Sequence, residues 1–224
     1  MIYYNQRNYG NILYPSATYP EATLASSGCG VCCVSMVVEN LLDTSFSPLA
    51  SAKFSMQNGA RALSGTDMSK LSKLICGAFP LKCEAVTDIN LVKNKLKHGA
   101  MAIAHTKGGS QGLFSTSGHF VVLAEFKNEK FTVLDPYLYN GKFNTNTRKG
   151  KVTQRGNYLY VSPSNVSADC KKYYIFERVD LNMTVDEAKK IIKEKAKLAD
   201  NTIQYLYSYR YGDDLVIKLA EAMK

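Results

Sequence analysis

The sequence predicts an α+β fold followed by a short, all-helical module. Three features carry that expectation. Apolar residues recur at helical spacing through much of the first hundred residues. After Gly99 they gather into short runs bounded by turn residues. At Thr184 a capping box opens a second helical stretch. Helices first and antiparallel strands afterwards is an α+β arrangement.

Taken in order, residues 1–28 are rich in Tyr, Asn, Ser and Pro and are expected to be irregular. From Gly30 to Leu42, Val34, Val37, Val38 and Leu41 recur on one helical face, widened by Met36 and Leu42, so Cys29 stands just before a helix. A second helix is predicted over about Ser47–Met56. A third follows Thr66 or Asp67 as its cap and carries Met68, Leu71, Leu74 and Ile75. Asp88–Lys97 reads as a short amphipathic helix stopped by Gly99. Ala100–Ala104 reads as a buried strand, followed by a Gly-rich loop over Lys107–Gly112. His119–Ala124 and Lys130–Leu134 read as strands joined by a hairpin turn at Phe126–Glu129. Tyr158–Val161 and Lys172–Glu177 are the remaining predicted strands. Thr184, with Glu187 three residues on, starts a helix running to about Leu198. Asp200 starts another, carrying Ile203, Leu206 and Tyr207, and a third begins near Gly212. The expected division is an α+β domain over 1–178 and a helical C-terminal module over 181–224.

The chain has 224 residues, enough for one sizeable core with a small appendage, and its 46% apolar and 21% charged residues are ordinary for a globular protein. Its longest apolar run, Val31–Val38, is interrupted by Ser35 and is too short to span a bilayer. Met1 leads into Ile-Tyr-Tyr-Asn-Gln with no basic n-region and no small-residue cleavage site. The expectation is therefore a chain made in the cytoplasm and kept there unless something else releases it. Six cysteines in a chain of this length, without a signal, are expected to be reduced, and most to serve as small buried apolar residues. The formal charge of +9 asks for an anionic partner. Residues 181–224 hold eight Lys/Arg against seven Asp/Glu, so almost all the excess lies before them. The basic residues are scattered and no nucleic-acid motif is visible, so nucleic acid is not an expected partner.

Cys29, in Ser26-Ser27-Gly28-Cys29-Gly30-Val31, has the features of a nucleophile. A helix N-terminus favours the thiolate, and the flanking glycines allow a tight turn and leave the sulfur accessible. Cys29-Gly30-Val31-Cys32 is also formally a CxxC. No strand precedes it as in a redox βαβ unit, and no second CxxC or paired His completes a zinc site; Cys76 and Cys83 are too loosely spaced. No metal or cofactor is expected. The base must be His98, His105 or His119. His98 reads as a C-terminal helix cap, and His105 ends a strand beside a loop. His119 opens an apolar strand whose hairpin partner ends at Asp135-Pro136, and that pairing would let a carboxylate orient the imidazole. Taken alone, Asp135 would read as a turn residue before proline.

Gln6 in Tyr4-Asn5-Gln6, Ser27-Gly28-Cys29-Gly30-Val31, Gly118-His119-Phe120-Val121-Val122-Leu123 and Val133-Leu134-Asp135-Pro136 together resemble the C39-like peptidases of the papain-like superfamily. They do so in family order and over roughly residues 1–178. The resemblance implies a papain-like fold, with Cys29 as nucleophile, His119 as base, Asp135 as its partner and Gln6 as the side-chain oxyanion donor. The chain departs from the family's wording at Val31-Cys32-Cys33, where Pro-Thr-Ser or a similar small polar run is usual. The stretch from Met183 through Tyr209-Arg210-Tyr211-Gly212 is similar to helical segments that end cell-wall lytic enzymes of Gram-positive bacteria and their phages. Together the two resemblances imply a cysteine endopeptidase or amidase acting on peptidoglycan, such as a phage or prophage endolysin. The helical module would then bind wall polymer or form a homo-oligomer. Alternatives with the same residues are a cytoplasmic peptidase processing a peptide substrate and a toxin-like deamidase or transglutaminase. A non-catalytic binding protein of the same fold would not need all four positions filled.

Overall fold

In the computed structural model, which describes residues 1–179, 184–209 and 212–223, the first hundred residues form a short 3-10 turn, five helices and one strand. The turn is Gln6–Tyr9. The helices are α1 (Leu24–Ser27), α2 (Cys29–Leu42), α3 (Pro48–Gln57), α4 (Met68–Ala78) and α5 (Ile89–Lys97). The strands are β1 (Leu81–Val86), β2 (Met101–Thr106), β3 (Phe120–Lys127), β4 (Lys130–Leu134), β5 (Val152–Arg155), β6 (Tyr158–Val161) and β7 (Cys170–Arg178), with helix α6 (Pro163–Asp169) before the last. Helices α7 (Val185–Ala196), α8 (Asp200–Tyr207) and α9 (Gly212–Ala222) follow.

This is the α+β fold that the sequence predicts, with mixed helices and an antiparallel sheet. The seven strands lie in the order β1-β7-β2-β3-β4-β6-β5. The caps follow from sequence. Ser47 accepts the amide of Ala50 at the start of α3, and Asp88 accepts that of Asn90 at the start of α5. Asp67, rather than Thr66, caps α4 by accepting the amide of Lys70, while the Thr66 hydroxyl meets that of Tyr14. Two strands have no counterpart in the sequence reading. β5 exposes three of its four residues at the sheet edge, so no apolar alternation marks it. β1 points Lys82 and Glu84 outward and keeps only Leu81 buried.

Helix α2 packs against β2 and β3. Its apolar content exceeds what a single stripe needs: Val31, Cys32, Cys33, Val34, Met36, Val37 and Val38 are all buried. At about 1.5–3 kcal/mol for each large apolar side chain withdrawn from water, this contact fixes the helix, and its N-terminal residue, against the sheet. The hairpin β3–β4 turns through Asn128 and Glu129, both in the left-handed region (φ 51° and 56°), as a two-residue turn with the natural strand twist requires. Its register pairs Val122 with Leu134, which carries the start of β3 and the end of β4 to the same edge of the sheet.

The chain divides into two compact units: residues 1–76 with 82–178, and residues 77–81 with those described from 179 onward. In the second, the Val179 amide donates to the Pro80 carbonyl at 2.9 Å. The Thr184 capping box is formed, with Thr184 Oγ1 accepting the Glu187 amide at 3.2 Å. Helices α7–α9 enclose Ala188, Ile192, Ile203, Val216, Ile217 and Ala220 as a core of their own. The boundary expected at Val179-Asp180 and the side chain of Tyr211 lie outside the described residues. Ile192→Ala is expected to lower the stability of this helical core by about 2–5 kcal/mol, the usual loss for a buried Ile cut to Ala. Hydrogen exchange of peptides from α7–α9 in rising denaturant measures it; unchanged exchange there would mean that Ile192 is not a core residue.

Candidate active site

Gly28 separates α1 from α2. Its amide donates to the Leu24 carbonyl at 2.8 Å, and a Cβ on it would lie 2.5 Å from that same oxygen. A Cβ on Gly30 would lie 2.6 Å from the Thr66 side chain. Only glycine fits on either side of Cys29, which is thereby held at the first position of α2. There its own amide has no partner within the helix, and the macrodipole favours negative charge on the sulfur.

His119 comes from the other side. Its carbonyl accepts the Thr106 amide at 2.9 Å, which extends the β2–β3 ladder to this residue. Its ring hydrogen-bonds Asp135 and lies close enough to Cys29 for each to shift the other's titration. Nε2 lies 2.9 Å from Asp135 Oδ1, which leaves Nδ1 free of that carboxylate. Asp135 is 0% exposed and follows β4 directly. Its Oδ1 also accepts the Tyr137 amide at 2.9 Å, and its Oδ2 accepts Lys142 Nζ at 2.5 Å. Three donors on one buried carboxyl hold it ionised.

These contacts set the titrations. For Asp135, burial alone would raise the pKa, but the charge and hydrogen bond of His119, then those of Lys142, bring it down to about 2. For His119, burial alone would lower the pKa; the Asp135 carboxylate and then the Cys29 sulfur raise it to about 9. Burial pushes the Cys29 thiol up, yet the His119 hydrogen bond and charge, together with the amides of Phe120 and Gly30 at the sulfur, outweigh it and leave the thiol below its ordinary value. Burial raises Cys32 and Cys33, so both remain thiols packed in the helix. The two other histidines lie elsewhere. His98 caps α5, with Nδ1 2.8 Å from the Asn94 carbonyl. His105 stacks on Phe120 at 4.5 Å, and burial with Lys171 and Lys172 nearby lowers it to about 4.

Gln6 is only 3% exposed, which an ordinary loop amide would not be. Its amide donates to the Pro136 carbonyl at 2.7 Å, and its Nε2 donates to the Ala25 carbonyl at 2.8 Å. It thus ties the residue after Asp135 to the helix before Cys29. Tyr3 Oη donates to the Asp135 carbonyl and Asn5 Nδ2 to that of Leu138, so the N-terminal segment is laced along the same strand end. Gln6, Cys29 and His119 line one cavity of about 520 Å³, whose rim is mostly small and polar, including Ser26, Ser27 and Ser115–Gly118. A second depression of about 560 Å³, lined by Thr18–Ala22, shares Ser26, Ser27 and Ser64 with it, so the two lie side by side.

The structure thus brings together all four residues that the sequence singles out, and adds others it did not. Asp169 accepts the amides of Leu113 and Phe114, and Arg148 donates to the Gly112 carbonyl; together they pin the end of the Gly-rich loop just before the cavity wall at Ser115–Gly118. Lys142 lies in a loop of Tyr, Asn, Gly and Thr, where nothing in the sequence separates it from a surface lysine. Among the described residues no group of His, Cys, Asp or Glu is arranged to hold a metal, and no helix is long and apolar enough to cross a membrane.

A family model described as the peptidase C39 family matches residues 20–165, a range that includes Cys29, His119, Asp135 and Lys142 but not Gln6. No curated protein matches the chain. Among solved structures, a double glycine motif protease from an AMS/PCAT transporter, in complex with the leader peptide, is similar at 16% identity. That match covers 67% of this chain and 84% of that one, with a TM-score of 0.42. The peptidase domain of Streptococcus ComA, a bifunctional ABC transporter involved in a quorum sensing pathway, is similar at 13% identity, over 67% of this chain and 91% of that one, with a TM-score of 0.44.

The two linked titrations open a pH window in which thiolate and imidazolium coexist, from below the ordinary thiol value up to about pH 9. Alkylation of Cys29 by iodoacetamide is expected to be fast within it. In His119→Ala the burial of the sulfur acts with less opposition, so the thiolate should form only at higher pH. An unchanged alkylation profile in that variant would break the link between the two residues.

Proposed function

The chain belongs to the peptidase C39 family, and from that membership we propose a thiol endopeptidase in which Cys29 is the nucleophile, His119 the acid and base, Asp135 its orienting partner and Gln6 an oxyanion donor. The observation that carries this reading is a single imidazole, hydrogen-bonded to the buried Asp135 carboxylate, that lines the same cavity as the Cys29 sulfur. The Cys29 thiolate attacks the scissile carbonyl carbon. The oxygen gains the negative charge beside the Cys29 amide and the Gln6 side chain. The His119 imidazolium gives its proton to the leaving amine, which departs and leaves a thioester on Cys29. His119, now neutral, takes a proton from water as the water attacks the thioester; the carbon–sulfur bond breaks, the acid product leaves, and the Cys29 thiolate and His119 imidazolium return.

For the substrate, the reading is a peptide segment of peptidoglycan, cut by a lysin of phage or prophage type. Its support is the helical unit, where Tyr205 and Tyr209 stand 63% and 53% exposed and stack edge-to-face at 5.3 Å. Aromatic faces of this kind can stack on sugar rings. Tyr207 does not join them, since Lys189 Nζ sits 4.0 Å from its ring centroid. The excess positive charge, concentrated before residue 181, suits an anionic wall polymer. Family membership itself favours a second reading, the processing of a soluble peptide with no wall attachment.

Purified sacculi, casein and a leader peptide with a double-glycine motif separate the two. Release of wall fragments with casein intact is expected, and mass spectrometry of the fragments distinguishes a cut peptide bond from a cut amide to the sugar. Cleavage of the leader peptide with sacculi untouched would replace the wall reading and leave the peptidase. Cys29→Ala should abolish turnover and Cys32→Ala should keep most of it; the reverse outcome would move the nucleophile. Gln6→Ala should lower kcat by about 10²–10³-fold, the usual loss for one oxyanion donor. Tyr205→Ala with Tyr209→Ala should weaken attachment to sacculi in a way that salt barely changes, while leaving turnover of a soluble peptide intact.

A further inference from the structure

Lys142 is a lysine with almost no access to water. Its side chain is 2% exposed. Nζ donates to Asp135 Oδ2 at 2.5 Å and to the Tyr137 carbonyl at 2.9 Å, and it faces the rings of Tyr137, Tyr139 and Phe143 at 5.7, 5.8 and 5.9 Å. Withdrawing an ammonium from water to this extent carries a cost of several kcal/mol, and a buried ion pair often does no better than a hydrophobic replacement. A lysine here therefore calls for a reason other than packing.

The charges around it supply one. The groups that interact with Lys142 are Asp135, Arg148 from the same loop and Asp169 from the end of α6. Arg148 and Asp169 offset each other. Beyond Asp135 lie His119 and Cys29, together with Tyr3 and Cys33, which remain neutral because burial raises both. A Cys29 thiolate and a His119 imidazolium cancel. Asp135 would then leave the site with one negative charge in excess, and that charge would oppose the thiolate.

We propose that Lys142 is a positioning residue of the peptidase site, the buried cation that turns Asp135 Oδ1 toward His119 by holding Oδ2 and makes the Cys29–His119–Asp135 array electrically neutral. This rests on the reading of Cys29 and His119 as the reacting pair. The electrostatic sign is definite. Removing a buried cation raises the proton affinity of every group near it, so in Lys142→Met the Cys29 and His119 titrations both move to higher pH. Removing a buried anion does the opposite, so in Asp135→Asn both move to lower pH. The double variant, with a neutral pair in place of the ion pair, returns toward the wild type. The Cys29 shift should be about one pH unit, the scale of a unit charge roughly 10 Å away at an effective dielectric of about 20, and the shift of His119, which is nearer to both charges, should be larger.

The test is the pH dependence of Cys29 alkylation by iodoacetamide, read by mass spectrometry on the Cys29 peptide so that the other five cysteines do not interfere. It needs no peptide substrate. Wild type, Lys142→Met, Lys142→Arg, Asp135→Asn and the double variant are compared, each checked for native hydrogen exchange. Opposite shifts in the two single variants, a profile near wild type for Lys142→Arg, and recovery in the double variant are the expected results. If Lys142→Met does not fold, adding it to Asp135→Asn must still move the profile up by about one unit relative to Asp135→Asn alone. A Lys142→Met profile that coincides with the wild type, a Lys142→Arg shift as large as that of Lys142→Met, or a double variant that matches Asp135→Asn overturns the proposal. A wild-type Cys29 that forms its thiolate only above the ordinary thiol range instead sinks the reacting pair, and the role of Lys142 with it.

Discussion

A carboxylate without water must be given donors, and the Asp135 side chain receives three: an imidazole, an ammonium and a backbone amide. Much of the larger unit's architecture can be read as the means of delivering them. The β3–β4 hairpin brings the imidazole from sixteen residues upstream. The loop after β4 turns back on itself through Gly141 to return the ammonium. The N-terminal segment closes the remaining side by bonding to the carbonyls of Asp135, Pro136 and Leu138. Each device depends on the others, because an unpaired buried charge would cost far more than any one hydrogen bond returns.

The parts of this arrangement that the sequence reveals are those with a local signature. The apolar stretch after Cys29, the helices beginning near Ser47 and Asp88, the capping box at Thr184 and the hairpin between two apolar strands are short-range patterns, and each reads correctly from a few residues. His119 and Asp135 could be paired in advance because one tight hairpin fixes their distance. Gln6 is different. Its burial is produced by contacts with Ala25 and Pro136, far away along the chain, and only a resemblance marked it. Lys142, Arg148 and Asp169 carried no mark, since a charged side chain in a polar loop is ordinarily solvated and only the folded chain turns these inward. The edge strands β1 and β5 escaped for the converse reason: a protected edge is built from polar residues, which erase the alternation that identifies a strand.

The apolar burden of α2 shows how a departure from the family's wording is absorbed. Cysteines occupy two consecutive positions after the Cys29-Gly30-Val31 turn, both fully buried. There they act as small apolar residues whose thiols burial keeps protonated, while a few ångströms along the same helix the identical side chain is pushed the other way by an imidazole and two amides. Chemical type does not distinguish the three thiols; position at the helix end does.

The distances along the chain between these partners also govern when the site can exist at all. Tyr3 meets a carbonyl 132 residues later and Asn5 one 133 residues later, and the strand that lies between β1 and β2 is the seventh to be synthesised. Contacts of such long range form late in folding, since the closure of each loop must precede its reward. On a growing chain Cys29 emerges some ninety residues before the imidazole that lowers its pKa, and until then it lacks that partner. The topology therefore ties the lowered pKa of this thiol to a later-made part of the sheet, so the contact is present only once the fold that encloses it is complete.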